Sequence, residues 1–273
     1  MGFSLDISDE LRRDLIETAH LMADAARPET LAHFRSKALV SDNKDNKGFD
    51  PVTIADRNAE QAMRRVLAAR RPDDGILGEE FGAQAGTSGL TWVLDPIDGT
   101  RGYISGTPTW GVLIALNAGA SPLFGLIDQP YINERFEGGF RRAAYAGPQG
   151  LTNLKTRPAR PLSEAVILTT FPEVGDAAEG QAFHALAAKC QLTRYGMDCY
   201  GYALLAAGQV DLVVEAGLSA YDIQAPIAVV EAAGGIVTDW SGAPAYPGGR
   251  ALAASCPEIH AAALEILKSQ PGL

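Results

Sequence analysis

The chain has 273 residues, of which 47% are hydrophobic and 21% charged, and a formal net charge of -10. That size suits one large domain or two packed lobes with a sizeable core. The acidic balance disfavours a protein that neutralises nucleic-acid phosphates with Lys and Arg, and no apolar window is long enough to span a membrane. An acidic site can still hold a small phosphorylated substrate if metal ions stand between the two. The N-terminal MGFSLDISDELRR has acidic residues where a secretory signal has a basic region and an apolar stretch. Asp6 stands where a myristoylation pattern wants Ser or Thr. A cytoplasmic protein is expected. Cys190, Cys199 and Cys256 are far apart and form no CxxC pair. They argue against a disulfide framework or a zinc site and read as small apolar residues.

Ser8 is a plausible N-cap, with Asp9 and Glu10 in the first turn. Leu11, Leu15, Ala19, Met22 and Ala26 follow at helical spacing. Pro28 interrupts this helix or marks a second start, with helical character resuming to Arg35. The polar segment 41–51 reads as a loop. A second helix follows, with Ala59, Met63, Val66, Leu67 and Arg70 at helical spacing. After Pro72 the texture becomes strand-like: GILGEEFG, TWVLD, TWGVLIALNAG, SPLFGLIDQP and RRAAYAG are separated by turns. From Pro161 strands and helices alternate: AVILTTF, then EGQAFHALAAKC, MDCYGYALLAAG, VDLVVEAG, DIQAPIAVVEAAGG, GIVTDWSG, ALAASC and PEIHAAALEILKSQ. Pro257 fits the first turn of the last helix. The expected organisation is a single domain over 1–273. It has an N-terminal α+β lobe over about 1–157 and a C-terminal α/β lobe over about 158–273.

Chemistry gathers where acids end elements next to glycine. Glu79 and Glu80 follow Gly78; Asp95 and Asp98 bracket Pro96-Ile97; Asp222 stands at a helix start. A carboxylate at the C-terminal end of a strand points out of the sheet, where α/β proteins bind ligands. Each acid also has a plain structural role open to it. Asp95-Pro96 could start a turn, the Glu79-Glu80 pair could be a solvated loop, and Asp222 could cap a helix beginning at Ile223. Thr53 and Asp56 fit a capping box. Together they suggest more. Mg²⁺ takes carboxylate oxygens, and two such ions about 4 Å apart clamp a phosphoryl transfer. Gly99 and Thr100 then offer N–H groups to a phosphate.

The segments PVTIAD (51–56), GEE (78–80), WVLDPIDGT (92–100) and YDIQAPIAVVEAAGG (221–235) resemble the inositol monophosphatase-like, metal-dependent phosphatases. They stand in that family's order and spacing and cover the chain almost end to end. The resemblance implies a layered α/β/α/β/α sandwich. It implies that Glu79, Asp95 and the Ile97 carbonyl hold a first Mg²⁺, that Asp95, Asp98 and Asp222 hold a second, and that a third, weaker ion leans on Glu79. Thr100 and Asp56 would orient or deprotonate the attacking water, and Gly99 and Thr100 would bind phosphate. Glu215 falls where the family contacts the alcohol portion of the substrate. Tyr221 stands where many members have Trp. The stretches over residues 42–60, 95–116 and 194–223 are most similar to the histidinol-phosphatase branch. That implies a role in histidine biosynthesis and a homodimer. Arg194 and Lys44 join the implied substrate contacts, with Lys47 an alternative to Lys44.

Asp198, beside Glu215, suits a substrate carrying an ammonium group, though it could instead cap the helix starting near Cys199. Phosphatases with an aspartyl nucleophile start from DxDxT. Here the spacing is DxxD, and no covalent intermediate is expected. Inositol 1-phosphate is the alternative substrate within the family, and a non-catalytic metal-binding protein is a further one. None of the expected acids (Asp56, Glu79, Asp95, Asp98, Asp222) is missing.

Overall fold

A computed structural model describes residues 7–37, 41–43, 51–119 and 121–272. Ser8 accepts a hydrogen bond from the Leu11 amide (3.2 Å) and opens α1, Asp9–His33. The helix runs unbroken through Pro28, where a break was expected. Proline removes one backbone hydrogen bond there. The buried stripe Leu15, Ala19, Met22, Ala23 and Ala26 holds the helix, and the Tyr103 hydroxyl donates to the Thr30 carbonyl at 2.6 Å. Within the expected loop, β1 (Ser41–Asn43) and β2 (Pro51–Thr53) pair antiparallel. Thr53 opens α2, Ile54–Arg70.

The next elements are β3 (Gly75–Gly78), β4 (Gly82–Gln84), β5 (Leu90–Asp98), α3 (Thr100–Ser105), β6 (Gly111–Ala118) and β7 (Pro122–Gln129). After them come β8 (Glu134–Gly139), β9 (Arg142–Gly147) and β10 (Gly150–Asn153). These nine-to-three-residue strands form an eight-stranded sheet in the order β10-β9-β8-β7-β6-β5-β3-β4, parallel only between β3 and β5. The second half runs β11 (Val166–Thr169), α4 (Ala177–Ala187), β12 (Leu192–Tyr195), α5 (Asp198–Ala206), β13 (Leu212–Leu218) and α6 (Ala220–Ala232). It ends with β14 (Ile236–Thr238), β15 (Gly249–Ala254) and α7 (Pro257–Lys268). Its sheet has the order β12-β11-β13-β15-β14.

Three apolar clusters stack these parts. Leu15, Met22 and Met63 of α1 and α2 pack on Trp92, Leu94, Ile114 and Phe124 of the large sheet. Its other face offers Val93, Leu113 and Ile127 to α5 and α6, which reach the second sheet at Leu168, Val213 and Ala253. On the far side, Phe183 of α4 and Leu267 of α7 cover Ile167, Leu212 and Leu252. The layers are therefore α/β/α/β/α, as the resemblance implied.

β5 positions the site. Trp92 is fully buried and its indole N–H donates to Asp74 at 2.9 Å. Arg71 pairs with the same carboxylate at 2.8 Å. The strand was expected to stop at Asp95, but it continues to Asp98 through an irregularity. Asp95 pairs with Leu113 and Asp98 with Gly111, so β5 carries one extra residue there. Proline has no N–H for a ladder, and a bulge is where an inner strand tolerates it. Asp95-Pro96 is thus a bulge within a strand, not a turn.

Candidate active site

A cleft of about 350 Å³ opens where β5 ends against α5 and α6. Its walls include Glu79, Asp95, Ile97, Asp98, Gly99, Thr100, Asp198, Glu215 and Asp222. A larger hollow, about 490 Å³, lies beside Arg141 and the end of α6 and shares no residue with it.

Asp95, Asp98 and Asp222 each present an oxygen within 4.8 Å of the others. Each also has an oxygen on a backbone amide. Asp95 accepts from Ile97 N (3.0 Å), Asp98 from Cys199 N (2.6 Å) and Asp222 from Ser219 N (2.7 Å). Backbone amides thus anchor all three carboxylates. Burial, then the charges of Glu79, Asp98 and Asp222, push Asp95 well above the usual carboxylate range. Loss of solvent, then Asp198 and Asp222, do the same to Asp98, against the bonds from Cys199. Like charges brought this close need a cation to remain ionised. All the donors are hard oxygens, so the cluster suits a divalent ion such as Mg²⁺.

Two of the plain structural roles are filled as well. Ser219, not Asp222, caps α6, and Asp222 is the acid of that capping box. Asp56 is likewise the acid of the Thr53 capping box, its Oδ2 accepting from the Thr53 amide (2.8 Å) and hydroxyl (2.6 Å). Its Oδ1 faces the Thr100 hydroxyl at 3.5 Å, while that hydroxyl lies 3.1 Å from the Ile97 carbonyl. One proton serves both acceptors, so the Thr100–Asp56 contact is loose in this state.

Gly99 has φ +86° and leads into α3. A Cβ there would sit 2.6 Å from Asp198 Cγ. Gly99→Ala is therefore expected to displace Thr100. A residue forced into the left-handed region costs about 1–2 kcal/mol, roughly tenfold in kcat/KM. Steady-state kinetics checks this, with circular dichroism to verify the fold; unchanged kcat/KM would refute it.

Asp198 does not cap α5 with its side chain. It begins the helix with φ +48° and accepts from the Thr109 hydroxyl at 2.9 Å. Glu215 on β13 is buried and accepts from Thr170 N (2.8 Å), Thr170 Oγ1 (2.9 Å) and Thr169 Oγ1 (3.2 Å). Burial pushes it up to about 7 despite the Thr170 and Thr169 bonds. Arg194, expected at the substrate, is instead exposed on the edge strand β12 and does not line the cleft. Its place on the outermost strand of the second sheet, away from β13 and the end of β5, explains this. Lys44 and its alternative Lys47 lie outside the described residues.

Sequence reasoning missed three cleft groups. Arg101 stacks over the Phe171 ring at 4.6 Å, and Thr170 holds Glu215. Only Arg101 had a local signal, its place directly after Gly99-Thr100. No described helix is long and apolar enough to cross a membrane.

The profile of the inositol monophosphatase family matches residues 11–271. The bifunctional phosphatase IMPL2, chloroplastic, of Arabidopsis thaliana is 40% identical over 248 residues, covering 87% of this chain and 70% of its own. A histidinol-phosphatase of Chlorobaculum parvum is 34% identical over 83% of this chain and 86% of its own. An inositol monophosphatase from Zymomonas mobilis superposes with TM-score 0.83 at 39% identity, covering 94% of this chain and 98% of its own. With its layered fold and its acidic cleft, this chain belongs to the inositol monophosphatase family.

Proposed function

We propose that this phosphatase hydrolyses histidinol phosphate to histidinol and inorganic phosphate with Mg²⁺. The observation that carries the substrate is the pair Asp198 and Glu215. These acids line the cleft beside the Asp95–Asp98–Asp222 cluster, where they suit the ammonium group of the leaving alcohol. The histidinol-phosphatase similar to this chain supports the reading. Inositol 1-phosphate is the second reading, favoured by the name of the Zymomonas mobilis relative.

Glu79, Asp95 and the Ile97 carbonyl would hold one ion and Asp95, Asp98 and Asp222 another, with a third, weaker one at Glu79. Bound there, Mg²⁺ supplies charge neutralisation of the phosphoryl oxygens and acidifies a coordinated water. The protein groups do the rest. The amides of Gly99 and Thr100 bind the phosphate. Asp56 draws the proton of the attacking water through the Thr100 hydroxyl, a contact that tightens when substrate fills the cleft. The P–O bond to the alcohol breaks as the bond to water oxygen forms, and the departing alkoxide takes a proton from solvent. The transition state is loose and anionic, so positioning and charge stabilisation supply most of the rate. A homodimer, expected from the resemblance, is a separate proposal that sedimentation would test.

Phosphate release from histidinol phosphate is expected to exceed that from inositol 1-phosphate. Asp198→Asn should lower only the former, by about tenfold. Equal or faster release from inositol 1-phosphate would replace the first reading with the second.

A further inference from the structure

Glu60 is a residue that no motif singled out, yet it is fully buried, on α2. Its Oε2 accepts from the Glu80 amide at 2.6 Å, and its Oε1 lies 3.3 Å from the Phe81 amide and 2.7 Å from Arg64 Nε. Arg64 in turn donates to the Gly82 carbonyl at 2.6 Å and lies over the Phe81 ring at 5.9 Å. The Glu60–Arg64 pair, one helical turn apart, therefore grips the 80–82 backbone from both sides. The Glu79 amide is fixed separately, donating to the Leu94 carbonyl of β5 at 3.1 Å. Gly78 completes the fit, because a Cβ there would stand 2.0 Å from Glu60 Oε1.

A buried ion pair is weak evidence of stabilisation in itself, since desolvation offsets most of the attraction. Its use here is geometric. The only cleft carboxylate that this turn carries is Glu79. We infer that Glu60 is a positioning residue that sets the Glu79 carboxylate for the metal site through the 78–82 turn. The inference rests on the reading of Glu79 as a metal ligand. Gln at position 60 would turn an amide NH₂ toward a backbone N–H or toward Arg64, so the grip is lost without a change in size. Asp would keep the charge and fall short by one methylene.

Mg²⁺ alone is titrated calorimetrically into wild type, Glu60→Gln, Glu60→Asp and Glu79→Gln, with thermal melts verifying that each is folded. Removing groups behind a metal ligand costs about 10- to 100-fold in affinity. The Kd for Mg²⁺ is expected to rise by that factor in Glu60→Gln and less in Glu60→Asp. The KM for substrate at saturating Mg²⁺ should stay near wild type. A strut that only stabilises the fold would lower the melting temperature and leave Kd alone. Weaker binding in Glu79→Gln with unchanged Kd in whichever Glu60 variants fold overturns this inference only. Unchanged Kd in Glu79→Gln overturns the metal-ligand reading and the inference with it.

Discussion

Asp95→Asn is expected to lower turnover by at least about a thousandfold, since the electrostatic help of a bound cation is worth several kcal/mol and each 1.36 kcal/mol is tenfold. Asp95 is 2% exposed and faces Glu79, Asp98 and Asp222. Without a cation these charges oppose one another, so the metal-free variant should melt no lower than wild type. Asn keeps an oxygen for the Ile97 amide and removes a charge that burial disfavours. Mg²⁺ should raise the wild-type melting temperature, as any ligand of the native state does, and should raise that of the variant much less. Phosphate-release assays and thermal melts with and without Mg²⁺ check both halves. Retention of more than a tenth of the activity, or an equal Mg²⁺-induced rise, would remove the case for Asp95 as the shared ligand.

Glu215→Gln is the second large effect, and its sign depends on pH. Burial raises the folded-state value to about 7 from an ordinary 4.5. Between those values the folded protein binds more protons than the unfolded chain, so stability falls as pH rises from about 4.5 to about 7 and levels off above that. The span amounts to about 3 kcal/mol. Urea denaturation of the metal- and substrate-free protein at pH 5 and pH 8 should lose that much more in wild type than in the variant. Binding runs the other way. A substrate ammonium favours ionised Glu215, so kcat/KM for histidinol phosphate relative to inositol 1-phosphate should rise through pH 7 in wild type. In Glu215→Gln the ratio should be flat and, at pH 8, lower by on the order of ten- to a hundredfold. A ratio that rises equally in both proteins would exclude Glu215 as the recognising acid.

The acids proposed as metal ligands were legible because their motifs are local. Asp95 and Asp98 stand at the end of one strand just before Gly99-Thr100, and Asp56 and Asp222 lie in the first turns of helices, so each was visible as an acid near an element end. The layered fold followed from the resemblance, and the elements of the second half from alternating strand and helix texture. Besides the short β1, β2 and β4, the strands β8, β10 and β12 were missed. ERFEGG and GLTN lack alternation and carry glycine, and LTRY lies at an exposed sheet edge. Arg194 lies on that same edge strand, away from the cleft lining, and nothing in its neighbours tells that LTRY is an edge strand. Glu60 gave no signal at all. On α2 it is an acid one turn before an arginine, a pattern common on solvated helix faces, and only the packing of the 78–82 turn onto α2 makes it buried.

The extra residue in β5 has a consequence in odd and even positions. Along a regular strand, successive side chains alternate faces. Val93 faces α5 and α6, whereas Trp92 and Leu94 face α1 and α2. Without interruption Asp95 would look toward the cleft and Asp98 toward the opposite layer. The inserted residue restores the match, so Asp95 sits across from Leu113 and Asp98 across from Gly111, both on one side. A chain that kept the same three-residue spacing but ran as a regular strand, without the bulge, would keep both aspartates in its sequence and hold them on opposite faces of the sheet.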